Sequence, residues 1–155
     1  VPGFENCYIE ATASEVGIRE SRRIIGEYYL TKDDVLGTKQ FSDNIAQCAY
    51  MIDIHDHKGT QLLYIPIPEG RSYGIPYRCL LPVKVENLLV AGRCISCSQE
   101  AQGSLRVMPP SFSTGQAAGV AAAIAARNSI FPREINREEL RSVLKSQNQI
   151  IDQLR

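Results

Sequence analysis

Three stretches of sequence carry most of the information about the fold: Asn87-Leu-Leu-Val-Ala-Gly-Arg93, then Gly103-Ser-Leu-Arg-Val-Met-Pro-Pro110 and Gly115-Gln-Ala-Ala-Gly119. Residues 88–91 are apolar on both faces, which is typical of a strand inside a covered sheet. Prolines 109 and 110 suit the first turn of a helix, where a missing N–H costs nothing. The order predicts a buried strand, a loop and a helix of small residues.

Composition sets the class of protein. The 155 residues are 44% hydrophobic and 22% charged, which are values of a globular domain. Seventeen basic and seventeen acidic residues cancel, which argues against nucleic acid or an anionic membrane as the main partner. No apolar run approaches the ~20 residues that a membrane-spanning helix needs. We therefore expect one globular unit with no membrane span.

The cysteines and the first residues indicate the context of the chain. Five cysteines at irregular spacing argue against a disulfide framework. The chain opens Val1-Pro2-Gly3-Phe4, without an initiator Met or a signal pattern. We expect a segment of a longer polypeptide, and its localisation stays unassigned.

Local patterns predict a mixture of helices and strands. A capping box at Thr31 predicts a short helix, and Asn136 is a second plausible N-cap, after Pro132. In the first half of the chain the other predicted elements are a strand at 22–30, a helix at 42–49 and strands at 50–55 and 61–67, with a turn at 57–60. A surface crossing at 68–77 leads to the strand at 87–91 and a loop at 96–104. A helix then runs to about 128, and a last helix has apolar positions up to Leu154.

Several further motifs occur in one order with the stretches quoted above. They are Gly17-Ile-Arg-Glu-Ser-Arg-Arg23, Ile52-Asp-Ile-His-Asp56, Ile75-Pro-Tyr-Arg-Cys-Leu-Leu-Pro82 and Glu86-Asn-Leu-Leu-Val-Ala-Gly-Arg-Cys-Ile-Ser96. Over roughly residues 15–127 the chain resembles the C-terminal part of the FAD-dependent oxidoreductase family, a distant relation of fumarate reductase and succinate dehydrogenase flavoprotein subunits. Some members carry the name xanthan lyase, although nothing in these residues points to polysaccharide elimination.

The resemblance implies a mixed α/β chain that forms part of an FAD/NAD(P)-binding fold. In that family an N-terminal Rossmann half carries a G-x-G-x-x-G turn, a substrate domain is inserted, and the chain then returns. This sequence has no G-x-G-x-x-G. We therefore expect residues 1–85 to be the end of the substrate domain and its return strands, 86–130 the C-terminal segment of the FAD-binding domain, and 131–155 a C-terminal helix. The expected partners are the Rossmann half of the same protein and a small-molecule substrate. Alone, the chain should be inactive and could form oligomers.

The resemblance also implies which residues hold FAD. Gly92 and Arg93 should lie near the ribityl chain, and Gly115 allows close packing. A helix N-terminus offers unpaired N–H donors and a positive dipole to the electron-rich edge of a reduced flavin. The backbone expected at that pyrimidine edge is Val107, Met108, Pro109, Pro110, Ser111 and Phe112.

Flavin chemistry on a polar substrate needs a cation and a proton carrier. Arg106, beside the proposed flavin-facing loop, is the first candidate to hold a carboxylate or oxyanion, and tying the loop down is an equally good interpretation. Arg78 is a second candidate for the cleft. His55 has Asp53 and Asp56 beside it and could carry protons, although a structural histidine at a turn is the commoner case.

Two other interpretations stay open. Asp53, His55 and His57 alternate along a strand, but no second cluster completes a coordination sphere, and we expect no metal. Cys94-Ile-Ser-Cys97 has the spacing of a thiol redox pair, without a predicted helix at Cys97. The favoured hypothesis is an oxidoreductase that moves a hydride between an unidentified small molecule and flavin. The alternatives are a non-catalytic binding domain and a thiol-redox protein.

Overall fold

The computed structural model describes residues 2–55 and 62–153, and the described chain is mixed α/β. Its regular elements, in order, are α1 (Lys32–Leu36), β1 (Asn44–Cys48), β2 (Ile52–His55), β3 (Leu62–Ile65), β4 (Tyr73–Pro76), α2 (Gln99–Leu105), α3 (Met108–Asn128) and α4 (Arg137–Ser146), with short 3₁₀ turns at Tyr77–Leu80, Gly92–Cys94 and Pro132–Glu134. The strands form two antiparallel pairs, β1 with β4 and β2 with β3. No helix in the described part of the chain is both long and apolar enough to cross a membrane.

The β1–β4 pair lies in the core and corrects two predictions. Ala46 pairs with Ile75 and Cys48 with Tyr73, and the register shifts between Asn44 and Ala46. Residues 42–49 were predicted as a helix, and that prediction is wrong. Residues 68–77 were predicted to cross the surface: 68–71 are exposed, which agrees with the prediction, whereas 73–77 are buried and begin with β4. Ile45 and the whole of β4 are buried, because the apolar side chains of these two short segments pack against each other and β1 also packs against α3.

The β2–β3 hairpin confirms the two predicted strands in shorter form. Ile52 pairs with Ile65 and His55 with Leu62. The predicted turn at 57–60 lies outside the described residues, as do Asp56 and His57. The hairpin matters for the site because it carries Asp53 and His55 beside α2.

Residues 22–30 were predicted as a strand, and the structure contains none there. The N–H groups of this segment bond to two different neighbouring segments: Glu27 to the carbonyl of Leu81 at 3.0 Å and Leu30 to the carbonyl of Ser96 at 3.2 Å. Only isolated bridges form, Gly26 with Pro82 and Leu30 with Cys97. A segment that alternates between two partners builds no continuous ladder, although its composition favours strand.

The predicted buried strand at 87–91 is also wrong for the described structure. The segment is not part of a sheet, and the N–H of Val90 donates to the carbonyl of Leu80 at 3.0 Å. Leu88 is 43% exposed. Apolar sequence on both faces indicates a strand only where neighbouring strands cover it, and none does so within the described ranges.

A helix replaces the predicted loop at 96–104. Ser98 caps α2 by accepting a hydrogen bond from the N–H of Ala101 at 3.2 Å. Gly103 faces β2 so closely that a Cβ there would lie 2.8 Å from the carbonyl oxygen of Asp53. The polar sequence therefore forms a helix that Ser98 caps. Gly103 has no side chain, which lets this helix pack closely against the β2–β3 hairpin.

The structure contains both predicted C-terminal helices, but the last helix is shorter than predicted: α4 ends at Ser146, so Ile151, which was predicted on its apolar face, lies beyond it. α3 has Pro109 and Pro110 in its first turn, as expected. Asn136 caps α4 by accepting from the N–H groups of Glu138 and Glu139. One hydrophobic core contains buried residues from each of the segments 1–85, 86–130 and 131–155. Among them are Leu30, Ile45, Tyr73, Tyr77, Leu105, Ala117, Ala121, Leu140, Leu144 and Ile151. Leu154 lies outside the described residues.

Candidate functional site

The Gly92 turn is tied to the first turns of α3. Gly92 has φ of +70°, a conformation that L side chains rarely adopt. Its N–H donates to Oγ1 of the buried Thr114 at 2.9 Å, and that hydroxyl donates to the carbonyl of Pro110 at 2.7 Å. The Thr114 side chain therefore links the Gly92 turn to the first turns of α3 by hydrogen bonds on both sides.

The start of α3 leaves two amide donors open. Pro109 and Pro110 have no N–H, and the side chain of the N-cap residue Val107 makes no cap hydrogen bond. The N–H groups of Val107 and Met108 have no acceptor among the described residues. A helix start with free N–H groups attracts the partial negative charge of a ligand.

One face of α3 is open to solvent. It carries Met108, Phe112, Gly115, Gly119, Ala122 and Ala126, which we call the open face of α3. Met108 and Phe112 are 70% and 71% exposed, which is unusual for large apolar side chains. Free amides, small residues and an apolar surface fit one edge of a flavin ring, the group that the resemblance implies. They do not fit its pyrophosphate, because the chain has no G-x-G-x-x-G turn.

Arg93 is held by its backbone and its side chain. Its guanidinium donates to the carbonyl of Ile18 at 3.0 Å. Its own carbonyl accepts from Nε2 of Gln102 at 2.9 Å, and Gln102 in turn accepts from Arg23. α2 thus supports the residue that follows the Gly92 turn.

Arg106 lies at the C-terminal end of α2, next to the start of α3. Its buried guanidinium pairs with the carboxylate of Glu20 and donates to the backbone carbonyl of Asp53 at 3.0 Å. A second atom pair, Arg106 Nη2 and Asp53 Oδ2, is 3.7 Å apart. The cation is engaged by protein groups on two sides.

His55 joins the same cluster through Asp53. His55 Nε2 lies 3.2 Å from Asp53 Oδ1, and the imidazole is about half exposed. This carboxylate oxygen is buried and makes no hydrogen bond among the described residues. Asp53 therefore stands between His55 and Arg106 and brings these two predicted residues together.

Arg78 belongs to a different ion pair. Its Nε and Nη2 donate to the two carboxylate oxygens of Asp43 at 2.9 and 3.1 Å, and its guanidinium lies 5.0 Å from the ring centre of Tyr28. The hydrogen bond to Asp43 raises the pKa of Arg78. Within the described ranges it makes no hydrogen bond or ion pair with Arg106, His55 or Asp53.

The cysteines and acidic side chains offer little other chemistry. Burial raises the pKa of Cys97 to about 12, which opposes the thiolate that a redox pair needs, while Cys94 is exposed. No group of three metal-ligating side chains forms in the described part of the chain, and Asp56 and His57 are not in it.

Sequence reasoning missed the residues that support the site. Thr114, Gln102 and Glu20 lie 22, 9 and 86 positions from the residues they hold. Such distant pairings leave no local pattern. The one available signal was Ser98 before Gln99-Glu100, an N-cap pattern that could have predicted α2.

Comparison with known proteins confirms the resemblance. A family model described as FAD dependent oxidoreductase matches residues 1–144. No curated protein and no solved structure matches the chain. The family match extends from the first residue through the Gly92 turn and α3 into α4, and the chain belongs to the FAD-dependent oxidoreductase family.

Proposed function

We propose that this chain is the C-terminal portion of an FAD-dependent oxidoreductase that moves a hydride between a small molecule and flavin. The observation that carries the proposal is the Gly92 turn, tied through Thr114 to a helix start with two free amides. The family match supports the cofactor class. When bound, FAD would supply the site that accepts or donates the hydride.

The chain's own groups would bind and orient the ring. Gly92 and Arg93 would lie along the ribityl chain. Val107 and Met108 would donate their N–H groups to the pyrimidine edge, while Pro109, Pro110, Ser111, Phe112 and Gly115 would shape the surface beside it. The positive end of the dipole of α3 would favour negative charge on that edge. An N-terminal Rossmann half of the same protein would bind the pyrophosphate. It would pack with this chain, in which 1–85 would be the end of the substrate domain, 86–130 the C-terminal segment of the FAD-binding domain and 131–155 the C-terminal helix.

Arg106 would hold a carboxylate or oxyanion of the substrate. The carboxylate of Glu20, partly exposed, pairs with it now, and a substrate carboxylate could take the place of Glu20. Asp53 would keep the guanidinium in position during that exchange. His55, next to Asp53 and about half exposed, would carry the proton. Arg78 would take part in a region of the substrate site away from Arg106, where it is paired with Asp43.

The experiment measures flavin in the full-length gene product. We expect the visible absorption bands of bound flavin after gentle purification, or after reconstitution with FAD. Gly92→Ala should weaken FAD binding by about tenfold, because an Ala at positive φ strains the turn by roughly 1–2 kcal/mol. The matched control is Gly70→Ala, since Gly70 has φ of +69° and no neighbouring atom within 4 Å of an added Cβ.

The outcomes separate the proposal from its alternatives. A wild-type protein that takes up no flavin, as purified or on reconstitution, would contradict the proposal. If FAD binding weakened equally in the Gly92→Ala and Gly70→Ala variants, backbone strain at any positive-φ glycine would explain the effect, and Gly92 would have no specific role in binding FAD. Cys97→Ser should leave flavin binding and turnover unchanged, whereas a thiol-redox protein would lose its activity.

A further inference from the structure

Two hollows meet along one side of the start of α3. The larger, of about 660 Å³, lies between the loop at 67–72, α3 and the segment at 148–150. The smaller, of about 450 Å³, lies between residues 47–50 and 107–110. Gln47, Ala49 and Pro109 line both hollows, so together they make one cleft. Each volume lies within the range of small-molecule sites.

The two hollows differ in chemistry. The smaller is lined by Cys48, Ala49, Val107 and Met108, and its surface is almost entirely apolar. The larger has Arg71 and Glu69 on its wall, together with the amides of Gln116 and Asn148. The cleft thus has an apolar end at the start of α3, while the end about the Gly70 turn, which we call the polar end, carries charged and amide groups on a largely apolar wall.

The charges at the polar end are available to a ligand. Arg71 and Glu69 are exposed, and neither has an ion-pair partner among the described residues. Arg71 offers the guanidinium fork that suits a carboxylate. Glu69, two residues away, reduces the positive potential there. Arg106, His55 and Arg78 do not line this cleft.

We propose that this cleft binds an amphipathic carboxylate, with its apolar end against the Val107–Met108 side of the cleft and its carboxylate at Arg71. The apolar end then lies beside the backbone to which the proposed function assigns the flavin edge. The identification of this ligand as the substrate rests on the proposed function. The binding of an amphipathic carboxylate in the cleft does not depend on it. Because Arg106 does not line this cleft, the carboxylate that Arg71 binds is a different group from the carboxylate or oxyanion that the proposed function assigns to Arg106.

The test is calorimetric titration of the full-length protein with octanoate. Octanoate should bind, while octanamide, which lacks the charge, and acetate, which lacks the chain, should bind at least about tenfold more weakly. Arg71→Gln should weaken octanoate binding about five- to tenfold, and Glu69→Gln should strengthen it about twofold, since exposed charges contribute modestly. Arg127→Gln removes an exposed cation outside the cleft and should change nothing.

A second variant tests the apolar end. Ala49→Leu fills the junction of the two hollows and should abolish octanoate binding, with an unchanged circular dichroism spectrum because Ala49 is exposed. Equal affinity for octanoate and octanamide, or no octanoate binding, would overturn the inference. A protein that carries flavin and does not bind octanoate contradicts this inference alone. One that binds octanoate without flavin contradicts the proposed function alone.

Discussion

At the scale of single residues, glycines show where the backbone needs space and where it does not. Gly92 is required by its positive φ, and Gly103 by the close approach of α2 to β2. Gly119 lies on the open face of α3, where an added Cβ would meet no atom within 4 Å. The sequence shows three glycines in polar or small-residue surroundings, and only the packing separates their roles.

We expect opposite effects from two helical glycine substitutions. Gly103→Ala should lower the free energy of unfolding by about 1–3 kcal/mol, because the new Cβ would press on Asp53 and Ile54. Gly119→Ala should raise it by about 0.5–1 kcal/mol, since alanine is the better helix former and has room. Urea denaturation measures both. A stabilised Gly103 variant would contradict the packing of α2 on the hairpin.

The residue scale also shows why the candidate site was only partly predictable. Arg106 and His55 were chosen because their side-chain chemistry suits a polar substrate. Their connection through Asp53 depends on how the β2–β3 hairpin lies against α2. Arg78 was chosen on the same grounds, and its bidentate pair with Asp43 depends on a fold that no local pattern encodes. The roles of all three remain proposals.

At the scale of elements, the predictions that succeeded had a local cause. The Thr31 and Asn136 caps, and the prolines that open α3, are chemical signals within one turn of each helix. The failures needed distant partners. Residues 44–48 form a strand because 73–76 pair with them, and 22–30 fail to form one because they bond to two segments in alternation.

The capping box of α1 leads to a pH prediction. Burial acts to raise the pKa of Asp34, but hydrogen bonds from Lys39, Thr31 and Tyr28 outweigh it and hold that pKa below the ordinary 3.8. A carboxyl with a lowered pKa in the folded state stabilises the protein above its unfolded pKa, and this contribution is lost as the pH falls through the folded value.

Asp34→Asn should therefore flatten the loss of stability between about pH 5 and pH 3. Thermal unfolding across that range measures the slope. Asp33→Asn, on the exposed side of the same first turn, is the matched control and should leave the slope unchanged. Identical slopes for wild type and Asp34→Asn would contradict the stabilising role of this carboxylate.

At the scale of the whole molecule, many large apolar side chains lie on the surface of the chain rather than in its core. The open face of α3 is one such surface, and Tyr8, Ile9 and Val16 near the start of the chain are each more than 80% exposed. Large exposed apolar patches mark surfaces that bind something. In the proposed function, the Rossmann half and the flavin cover the open face of α3.

The 155-residue chain by itself should therefore associate through that face. Light scattering after gel filtration should show oligomers, and Phe112→Glu should shift them toward monomer. Phe131→Glu changes an exposed phenylalanine outside α3 and should leave the distribution as it is. A monomeric wild-type chain would favour the non-catalytic binding domain instead.

In the proposed function, the amides at the start of α3 bind the electron-rich edge of a flavin. This binding mode can be checked in an experimental structure of the full-length protein with FAD bound. In that structure we expect the pyrimidine edge of the ring within hydrogen-bond reach of the Val107 and Met108 N–H groups, with the Gly92 turn beside it. The binding mode is contradicted if side chains fill that space and leave no room for a three-ring system.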